Sequence, residues 1–284
     1  MNLLEHVKRC NAFNPADYRP FEAAGRRIGS IRHDLAERLA AFPDVFLVRP
    51  DRVDLARSLG DPAARTAAVD AVARRLAEQG HCPPPLGEAY RVVGRWGEDP
   101  LFLIDRAFVP AFGITAFGVH LNGYVREGDR FRIWIAERSA DRRVEPNKLD
   151  NMVAGGQPAG LGLMDNLIKE SHEEAGLPAD VARQAVPAGA VGYCMASGWG
   201  LKPDWMFVYD LAMPAGVVPV NRDGEVSRFT LMEPADILAL LRDGWHFKFN
   251  VPLVLIDFLI RHGFLSPDSE PDYLDLVQGL RRHP

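Results

Sequence analysis

The chain has 284 residues, of which 47% are hydrophobic and 25% are charged, a composition that excludes extended disorder. Its formal net charge of −5 gives no reason to expect binding to nucleic acid or to an anionic membrane, and no apolar run approaches the roughly 18 residues of a membrane span. Three scattered cysteines, Cys10, Cys82 and Cys194, fit neither a disulfide framework nor a zinc site. Glu5 and His6 stand where a signal peptide needs an apolar core, so we expect a cytoplasmic protein.

The first hundred or so residues predict a mostly helical unit with a small sheet. Apolar residues recur at helical spacing in Ile31 to Phe42, Val53 to Leu59 and Thr66 to Leu76. Asp61 is placed to cap the last of these helices. Short alternating runs at 45–48, 90–93 and 101–104 predict strands. This part contains no catalytic constellation.

A domain boundary is predicted near 110–113, where proline, glycine and a change of pattern coincide. It divides the chain into residues 1–112 and 113–284. Runs at 114–125 and 131–136 predict two strands joined by a turn. Four basic residues follow, which either form a solvated loop or meet the phosphates of a substrate: Arg138, Arg142, Arg143 and Lys148.

The next stretch couples two glycines to an acidic helix. Gly155 and Gly156 precede a short loop and a predicted helix from Leu163 to Ala175, with Gly176 as a left-handed stop. At 100° per residue, Met164, Ile168, Ser171 and Ala175 form one stripe of this helix, and the opposite face carries three carboxylates: Glu170, Glu173 and Glu174.

This acidic face is either a solvated surface or a cation site. Glu170 and Glu174 repel each other at a spacing of four, and the macrodipole disfavours acids near a helix C-terminus. A divalent cation bound by these carboxylates would offset both their mutual repulsion and their unfavourable interaction with the helix dipole. Since Mg²⁺ is commonly held by one or two carboxylates together with substrate phosphates, the cluster points to phosphate chemistry.

The complete pattern resembles the box of the Nudix hydrolases, G-x5-E-x7-R-E-U-x-E-E-x-G-U, where U is a bulky apolar residue. Lys169 stands at the arginine position, Glu170, Glu173 and Glu174 at the acidic positions, and Gly176 and Leu177 at the close. The first half of the motif departs from the Nudix box in two ways. Leu161 occupies the position of the early glutamate, and the span from the glycine pair to Lys169 is one residue shorter than usual.

Four further segments narrow the resemblance to Nudix proteins related to fungal thiamine pyrophosphokinase. They are KLDNMVAGG (148–156), FGVHLNGYV (117–125), DGEVSRF (223–229) and VLIDFLIRHG (254–263). The resemblance implies an α+β fold: an N-terminal domain of the DUF4743 type, mostly helical, followed by a Nudix α/β/α sandwich with a mixed sheet.

The same resemblance implies Mg²⁺-dependent hydrolysis, with Mn²⁺ as an alternative ion, of a diphosphate linked to an organic group. Thiamine diphosphate or its oxidised analogues would be cut to the monophosphate. Glu170, Glu173 and Glu174 would hold metal, and Glu174 or Glu225 would act as the base. Lys169 would orient the glutamates, and the backbone of Gly155 or Gly156 would approach the metal.

Downstream of the box, runs at 188–195 and 205–211 predict strands, with a loop at 197–203 between them. Trp199 lies between glycines in that loop and is read either as an aromatic platform for a substrate ring or as an ordinary surface residue. Helical spacing returns at 234–242 and 251–262, where Asn250 is placed to cap the second helix and Gly263 to end it. A short terminal helix is predicted at 273–280.

Three rival functions remain open. A Nudix enzyme for a nucleoside diphosphate derivative such as ADP-ribose would keep the same metal site. A non-catalytic binding module would keep only the fold, and Leu161 favours it. A kinase partner role is disfavoured, since the sequence contains no kinase or P-loop signature. The N-terminal domain is expected either to cover the site or to pair two chains into a homodimer.

Overall fold

The N-terminal half is built on a four-stranded sheet and a long helix. The structure is a computed structural model and describes residues 1–282. In chain order the elements of this half are α1 (Leu4–Cys10), β1 (Tyr18–Ala23), β2 (Arg26–Arg32), α2 (His33–Leu39), β3 (Phe46–Val48), β4 (Val53–Leu55), α3 (Pro62–Glu78), β5 (Ala89–Val92) and β6 (Phe102–Asp105). The sheet order is β2-β1-β4-β3, and β5 and β6 form a separate antiparallel pair.

Several predictions for this half are confirmed, including the helix in Ile31 to Phe42, which is present as α2, and one is wrong. Helix α3 includes the predicted segment, and the side chain of Asp61 caps it by accepting a hydrogen bond of 2.8 Å from the amide of Ala64. The strands predicted at 45–48, 90–93 and 101–104 are present as β3, β5 and β6. The helix predicted from Val53 to Leu59 is absent, because this segment begins with β4, which pairs in parallel with β1. In this segment, pairing with a neighbouring strand outweighs the short helical pattern of apolar residues.

The C-terminal half is organised around a mixed sheet. Its strands are β7 (Ala116–Glu127), β8 (Arg130–Arg138), β9 (Leu149–Asn151), β10 (Val153–Gly156), β11 (Val186–Ser197), β12 (Gly200–Ala212) and β13 (Val226–Met232). The order β11-β12-β7-β8-β13 carries two short additions, β10 on β7 and β9 on β8. Strands β12 and β7 are parallel, and the other neighbours are antiparallel.

Helices cover both faces of this sheet. One face packs against α4 (Leu163–Ala175) and α5 (Ala179–Ala182) through a buried cluster that includes Val119, Leu121 and Leu167. The other face packs against α6 (Pro234–Asp243), α7 (Val251–Arg261) and α8 (Tyr273–Gly279). The predicted α+β class and the helix–sheet–helix sandwich are confirmed.

Helix α4 has the predicted bounds because both of its ends are specified locally. Gly162 precedes its first residue. At the other end, Gly176 adopts the left-handed conformation with φ 62°. The amide of Gly176 then donates to the carbonyl of His172 at 3.1 Å, which is the bond of the αL capping motif, and the amide of Leu177 donates to the carbonyl of Ser171 at 3.0 Å. The helix is therefore held in register against β10.

The cores of the two halves are nearly separate. One cluster of buried residues runs from Phe21 to Ile114, close to the predicted domain of residues 1–112. Helix α1 is an exception, since Leu3, Val7 and Cys10 pack into the core of the C-terminal half. The domain boundary near residue 112 stays a prediction. Helix α1 precedes this boundary in the sequence but packs with the C-terminal half.

All three cysteines are free, as predicted, and all three are buried. Within residues 1–282, no helix combines the length and the apolar character that crossing a membrane requires.

Candidate functional site

The acidic face of α4 divides into a buried part and an exposed part. Glu174 turns toward β10, and its Oε2 accepts a hydrogen bond of 2.8 Å from the amide of Ala154. Glu170, one helical turn earlier, is also largely buried, with 15% of its side chain exposed. Glu173 is 44% exposed. The carboxylates at 170 and 174 therefore face the sheet, and the one at 173 faces outward.

Burial disfavours charge on both inner carboxylates. It raises the pKa of Glu174 well above the usual value, and the nearby charges of Asp150, Glu170 and Glu225 raise it further. Burial also raises the pKa of Glu170, against the lowering effect of Lys169. A positive charge placed beside this pair would favour the ionised form of both groups.

Lys169 bridges the inner and outer carboxylates. Its Nζ lies 3.2 Å from Oε1 of Glu170 and 2.7 Å from Oε2 of Glu173. Lys169 therefore contacts both carboxylates, and its role of orienting the glutamates stays a prediction.

The predicted set of three metal-binding glutamates is not assembled in the structure. Among residues 1–282, no three side chains of His, Cys, Asp or Glu lie close enough together to hold a metal ion. The two inner carboxylates nevertheless fit a hard divalent cation, because they are oxygen donors whose charges are buried and mutually repulsive.

The two glycines of β10 are required by their surroundings. A Cβ on Gly155 would lie 2.3 Å from Cδ of Glu170, and a Cβ on Gly156 would lie 1.7 Å from the hydroxyl of Tyr90. The carbonyl of Gly156 accepts a hydrogen bond of 2.8 Å from Nδ2 of Asn166. Only glycine allows β10 to pass between α4 and the N-terminal half at these distances.

A cavity of about 240 Å³ adjoins β10 on the side of α7. Its wall combines residues of both halves of the chain, among them Tyr90 from β5 and the backbone of 154–156. Five cationic side chains line it: Arg106, Arg138, Arg142, Lys202 and Lys248. A concentration of cations suits a ligand that carries phosphates. Glu170 and Glu174 are separated from this cavity by β10, since they are not among the lining residues.

Arg138 and Lys148, two of the basic residues predicted to meet substrate phosphates, contact other groups of the protein instead. Arg138 lines the cavity, but its guanidinium is held by Asp150 at 2.8 Å and by the carbonyls of Val144 and Glu145, so it mainly fixes the loop 139–148. Lys148 donates to the carbonyl of Trp245 and is not among the lining residues. The lysines that line the cavity are Lys202 and Lys248.

Glu225 lies just before β13 and forms an ion pair with Arg142, a residue of the cavity wall. Its charge also contributes to the raised pKa of Glu174. The structure thus brings Glu225 to the edge of the site through Arg142.

Trp199 is not at the cavity, which corrects the expectation of an aromatic platform there. Strands β11 and β12 continue to Ser197 and from Gly200, so the predicted loop at 197–203 is a tight hairpin. Trp199 projects from its turn with 44% of its surface exposed, and it is not among the lining residues. The aromatic side chains that do line the cavity are Tyr90, Phe117, Tyr193, Trp205 and Phe249.

Trp199→Ala is therefore expected to leave KM unchanged within about twofold, both for ring-bearing diphosphates and for simple alkyl diphosphates, because substitutions remote from a site act weakly on binding. Steady-state kinetics on both substrates measure this. A KM that rises only for ring-bearing substrates would restore the platform role.

His120 of β7 lines the cavity and is anchored by a chain of amides. Asn122 donates from Nδ2 to Asp210 at 3.0 Å, and Asn151 donates from Nδ2 to Asn122 at 2.9 Å. Oδ1 of Asn151 lies 2.9 Å from Nδ1 of His120. Ionised Asp210 can only accept, so Asn122 donates to it through Nδ2 and uses its Oδ1 to accept from Asn151. Asn151 then has only its Oδ1 left to accept from His120, so Nδ1 of His120 carries the proton.

Burial lowers the pKa of His120 to about 4, with Lys248 acting in the same direction. The unfolded chain binds this proton more tightly than the folded protein, so we expect stability to fall as the pH drops from about 6.5 toward about 4. NMR titration of His120 should show a midpoint well below 6.5 and the Nδ1-protonated form at neutral pH. A midpoint near 6.5 would contradict the buried neutral imidazole.

Sequence reasoning missed most of the cavity wall. Arg106, Asp204 and Lys248 come from three distant elements, and no spacing in the sequence connects them. His120 lies within the segment FGVHLNGYV, whose pattern indicated a strand but not a role in the site.

Comparisons with known proteins agree with this architecture. Residues 2–116 match the family described as "Domain of unknown function (DUF4743)". The chain is 39% identical to Nudix hydrolase 20, chloroplastic, of Arabidopsis thaliana, over 98% of its own length and 77% of the relative's. It is 38% identical to Nudix hydrolase 24, chloroplastic, of the same plant, with the same coverage. The chain belongs to the Nudix hydrolase family.

Solved structures of Nudix proteins resemble about half of the chain. One is the Nudix domain of Shewanella oneidensis NrtR complexed with ADP-ribose, which is 12% identical, covers 54% of this chain and 91% of its own, and has a TM-score of 0.41. A score this low carries no argument about the ligand of this chain.

Proposed function

We propose that the protein hydrolyses a diphosphate linked to an organic group in a Mg²⁺-dependent reaction, with Mn²⁺ as an alternative ion. The substrate is thiamine diphosphate or an oxidised analogue, and the product is the monophosphate. The observation that carries this proposal is the pair Glu170 and Glu174, which pack against β10. They do not line the cavity themselves, but residues 154–156 of β10 do, together with five cationic side chains.

Each part of the site has a task in this reaction. Glu170 and Glu174 would hold the metal together with the backbone at Gly155, and Glu173 would join them on release from Lys169. The bound metal would supply charge neutralisation of the phosphates and an acidified water. Arg106, Arg142 and Lys248 bind phosphate oxygens, since guanidinium and ammonium groups donate directly to them.

Glu174 is better placed than Glu225 to receive a proton. Its carboxylate lies against β10, where Oε2 accepts a hydrogen bond from the amide of Ala154, close to Glu170 and the proposed metal. Glu225 is already paired with Arg142. We assign Glu225 to positioning Arg142.

The test is a screen of phosphate or monophosphate release in the presence of Mg²⁺. The panel contains thiamine diphosphate, its oxidised analogues, ADP-ribose and dinucleotide polyphosphates, each also measured with EDTA. We expect the highest metal-dependent kcat/KM for the thiamine derivatives. Preference for ADP-ribose would assign the nucleoside diphosphate class instead, and no hydrolysis of any compound would leave a binding module.

Two further predictions belong with this function. We propose that the protein acts in the cytoplasm and that the N-terminal half covers the cavity, since Tyr90 and Arg106 form part of its wall. The printed names of both plant relatives say "chloroplastic", so location is to be measured by imaging the tagged chain. The homodimer stays a prediction that light scattering tests.

A further inference from the structure

The antiparallel pair β5–β6 of the N-terminal half carries an ion pair at the end that faces the cavity. Ala89 faces Asp105 in the strand register, which places Glu88 opposite Arg106. The amide of Arg106 donates to the carbonyl of Glu88 at 2.8 Å. Nη1 of Arg106 then donates to Oε2 of Glu88 at 2.9 Å. Glu88 therefore holds Arg106 through both its backbone and its side chain.

Tyr90 supports the same guanidinium from a second side. It follows Glu88 by two residues and so lies on the same face of the strand. Its ring centroid is 5.9 Å from Cζ of Arg106, within the range in which an aromatic ring attracts a cation. The carboxylate and the ring together restrict where the guanidinium can lie.

These strands dock against β10, which carries the two glycines. Just after β10, the amide of Ala159 donates to the carbonyl of Ala89 at 2.8 Å. A Cβ on Gly156 would lie 1.7 Å from the hydroxyl of Tyr90 and 3.7 Å from Cζ of Arg106. The guanidinium thus lies beside the backbone of Gly156, and both line the cavity.

Arg106 uses only part of its hydrogen-bonding capacity on the protein. Nη1 is bound to Glu88, and within residues 1–282 its Nε and Nη2 make no hydrogen bond. Arg138, by contrast, donates from Nε, Nη1 and Nη2 to other groups of the protein. A guanidinium that is fixed at one nitrogen and free at two can offer a fork of donors to a phosphate.

We propose that Glu88 is a positioning residue, which holds Arg106 so that its two free nitrogens meet the phosphates of the substrate. Glu88 itself does not line the cavity, so it acts through Arg106. Among the five cationic side chains of the cavity, Arg106 comes from residues 1–112 and the other four from the C-terminal half. The N-terminal half would then complete the phosphate-binding part of the site as well as cover it. This inference rests on the proposed function and adds to it a residue outside the cavity.

The test measures the affinity of the full chain for inorganic pyrophosphate by calorimetry in the presence of EDTA. Glu88→Ala is expected to weaken binding about three- to tenfold, because binding must then immobilise a freed arginine side chain. The ion pair is partly exposed, with 49% and 33% of its two side chains accessible, so its loss should cost little stability. Glu88→Gln keeps an oxygen that accepts from Nη1 and should bind within about twofold of the parent.

The matched control is Asp70→Ala. Asp70 pairs with Arg74 at 2.7 Å on α3, in the same half of the chain, and neither residue lines the cavity. Its substitution removes a carboxylate from a comparable ion pair, and pyrophosphate affinity should not change.

A double-mutant cycle shows whether Glu88 acts through Arg106. In an Arg106→Ala background, Glu88→Ala should have no further effect, since both changes remove the same interaction. Equal losses with and without Arg106 would overturn the positioning role. Tighter binding in Glu88→Ala would also overturn it, because Glu88 would then compete with phosphate for Arg106.

Kinetics keep the failure of this proposal distinct from the failure of the proposed function. With a hydrolysed diphosphate, Glu88→Ala should raise KM by the same factor and leave kcat within about twofold, as expected for lost substrate binding. If the parent hydrolysed nothing but Glu88→Ala still weakened pyrophosphate binding, the positioning role would stand without the activity. Parental KM and parental pyrophosphate affinity in Glu88→Ala would remove the role and leave the activity intact.

Discussion

Glu174→Gln is expected to lower kcat for diphosphate hydrolysis by about 10²- to 10⁴-fold, the range associated with loss of a general base. The substitution keeps the side-chain oxygen that accepts from the amide of Ala154, so the backbone of β10 should not move. It removes the charge that would hold metal and the group that would take a proton. Single-turnover kinetics at saturating Mg²⁺ measure the loss.

The stability of this variant distinguishes a functional loss from misfolding. The pKa of Glu174 is raised in the folded protein, so folding is penalised as the pH rises above the unfolded value of about 4.3. Glutamine carries no such penalty. Metal-free Glu174→Gln should therefore be at least as stable as the parent at pH 7, with a difference that shrinks toward acid pH.

A matched control is Glu233→Gln, because Glu233 is half exposed and pairs only loosely with Arg130 at 3.5 Å. Its turnover should match that of the parent. If Glu174→Gln also retained parental turnover, the metal and base roles of Glu174 would be excluded together.

Gly155→Ala is expected to reduce activity at least about 100-fold and to destabilise the fold by about 1–3 kcal/mol, the usual cost of overpacking. The new methyl group would meet Cδ and Cγ of Glu170 at 2.3 and 2.4 Å. Either the carboxylate moves away from β10 or β10 moves away from α4. Both shifts would displace a group proposed to hold metal, and a displacement of this size has large effects on catalysis.

The control for this variant is Gly60→Ala, since a Cβ on Gly60 meets nothing within 4 Å. It should leave activity unchanged. Urea unfolding and steady-state kinetics are measured for both proteins. Full activity in Gly155→Ala would show that the close approach of β10 to Glu170 has no part in the reaction.

The acidic helix was the most predictable element of the chain. Its bounds follow from local chemistry: an apolar stripe, glycines at both ends and a left-handed stop at Gly176. The same local information placed the three glutamates on one face, but only Glu170 and Glu174 turn toward β10, and Glu173 is exposed and paired with Lys169. Of the predicted apolar stripe, Ser171 and Ala175 are buried, while Leu167 is buried in place of Met164 and Ile168. Both differences depend on how α4 packs against β10.

The N-terminal half and the cavity were less predictable, because long-range contacts decide both. Strands β1 and β2 carry no clear alternation and were missed. The segment starting at Val53 is a strand only because β1 lies beside it. Similarly, Asp204 and Asn250 reach one cavity through the pairing of β12 with β7 and the position of α7. Local sequence placed Asn250 correctly at the start of a helix but predicted a capping bond that is not made.

The most direct test of the central claim is calorimetric titration of the purified protein with Mg²⁺ in the presence of a non-hydrolysable diphosphate analogue. The parent should take up metal, and the double variant Glu170→Gln with Glu174→Gln should take up none while remaining folded. No metal uptake by the parent, or equal uptake by the double variant, would contradict the assignment of these two glutamates to a metal-dependent diphosphatase.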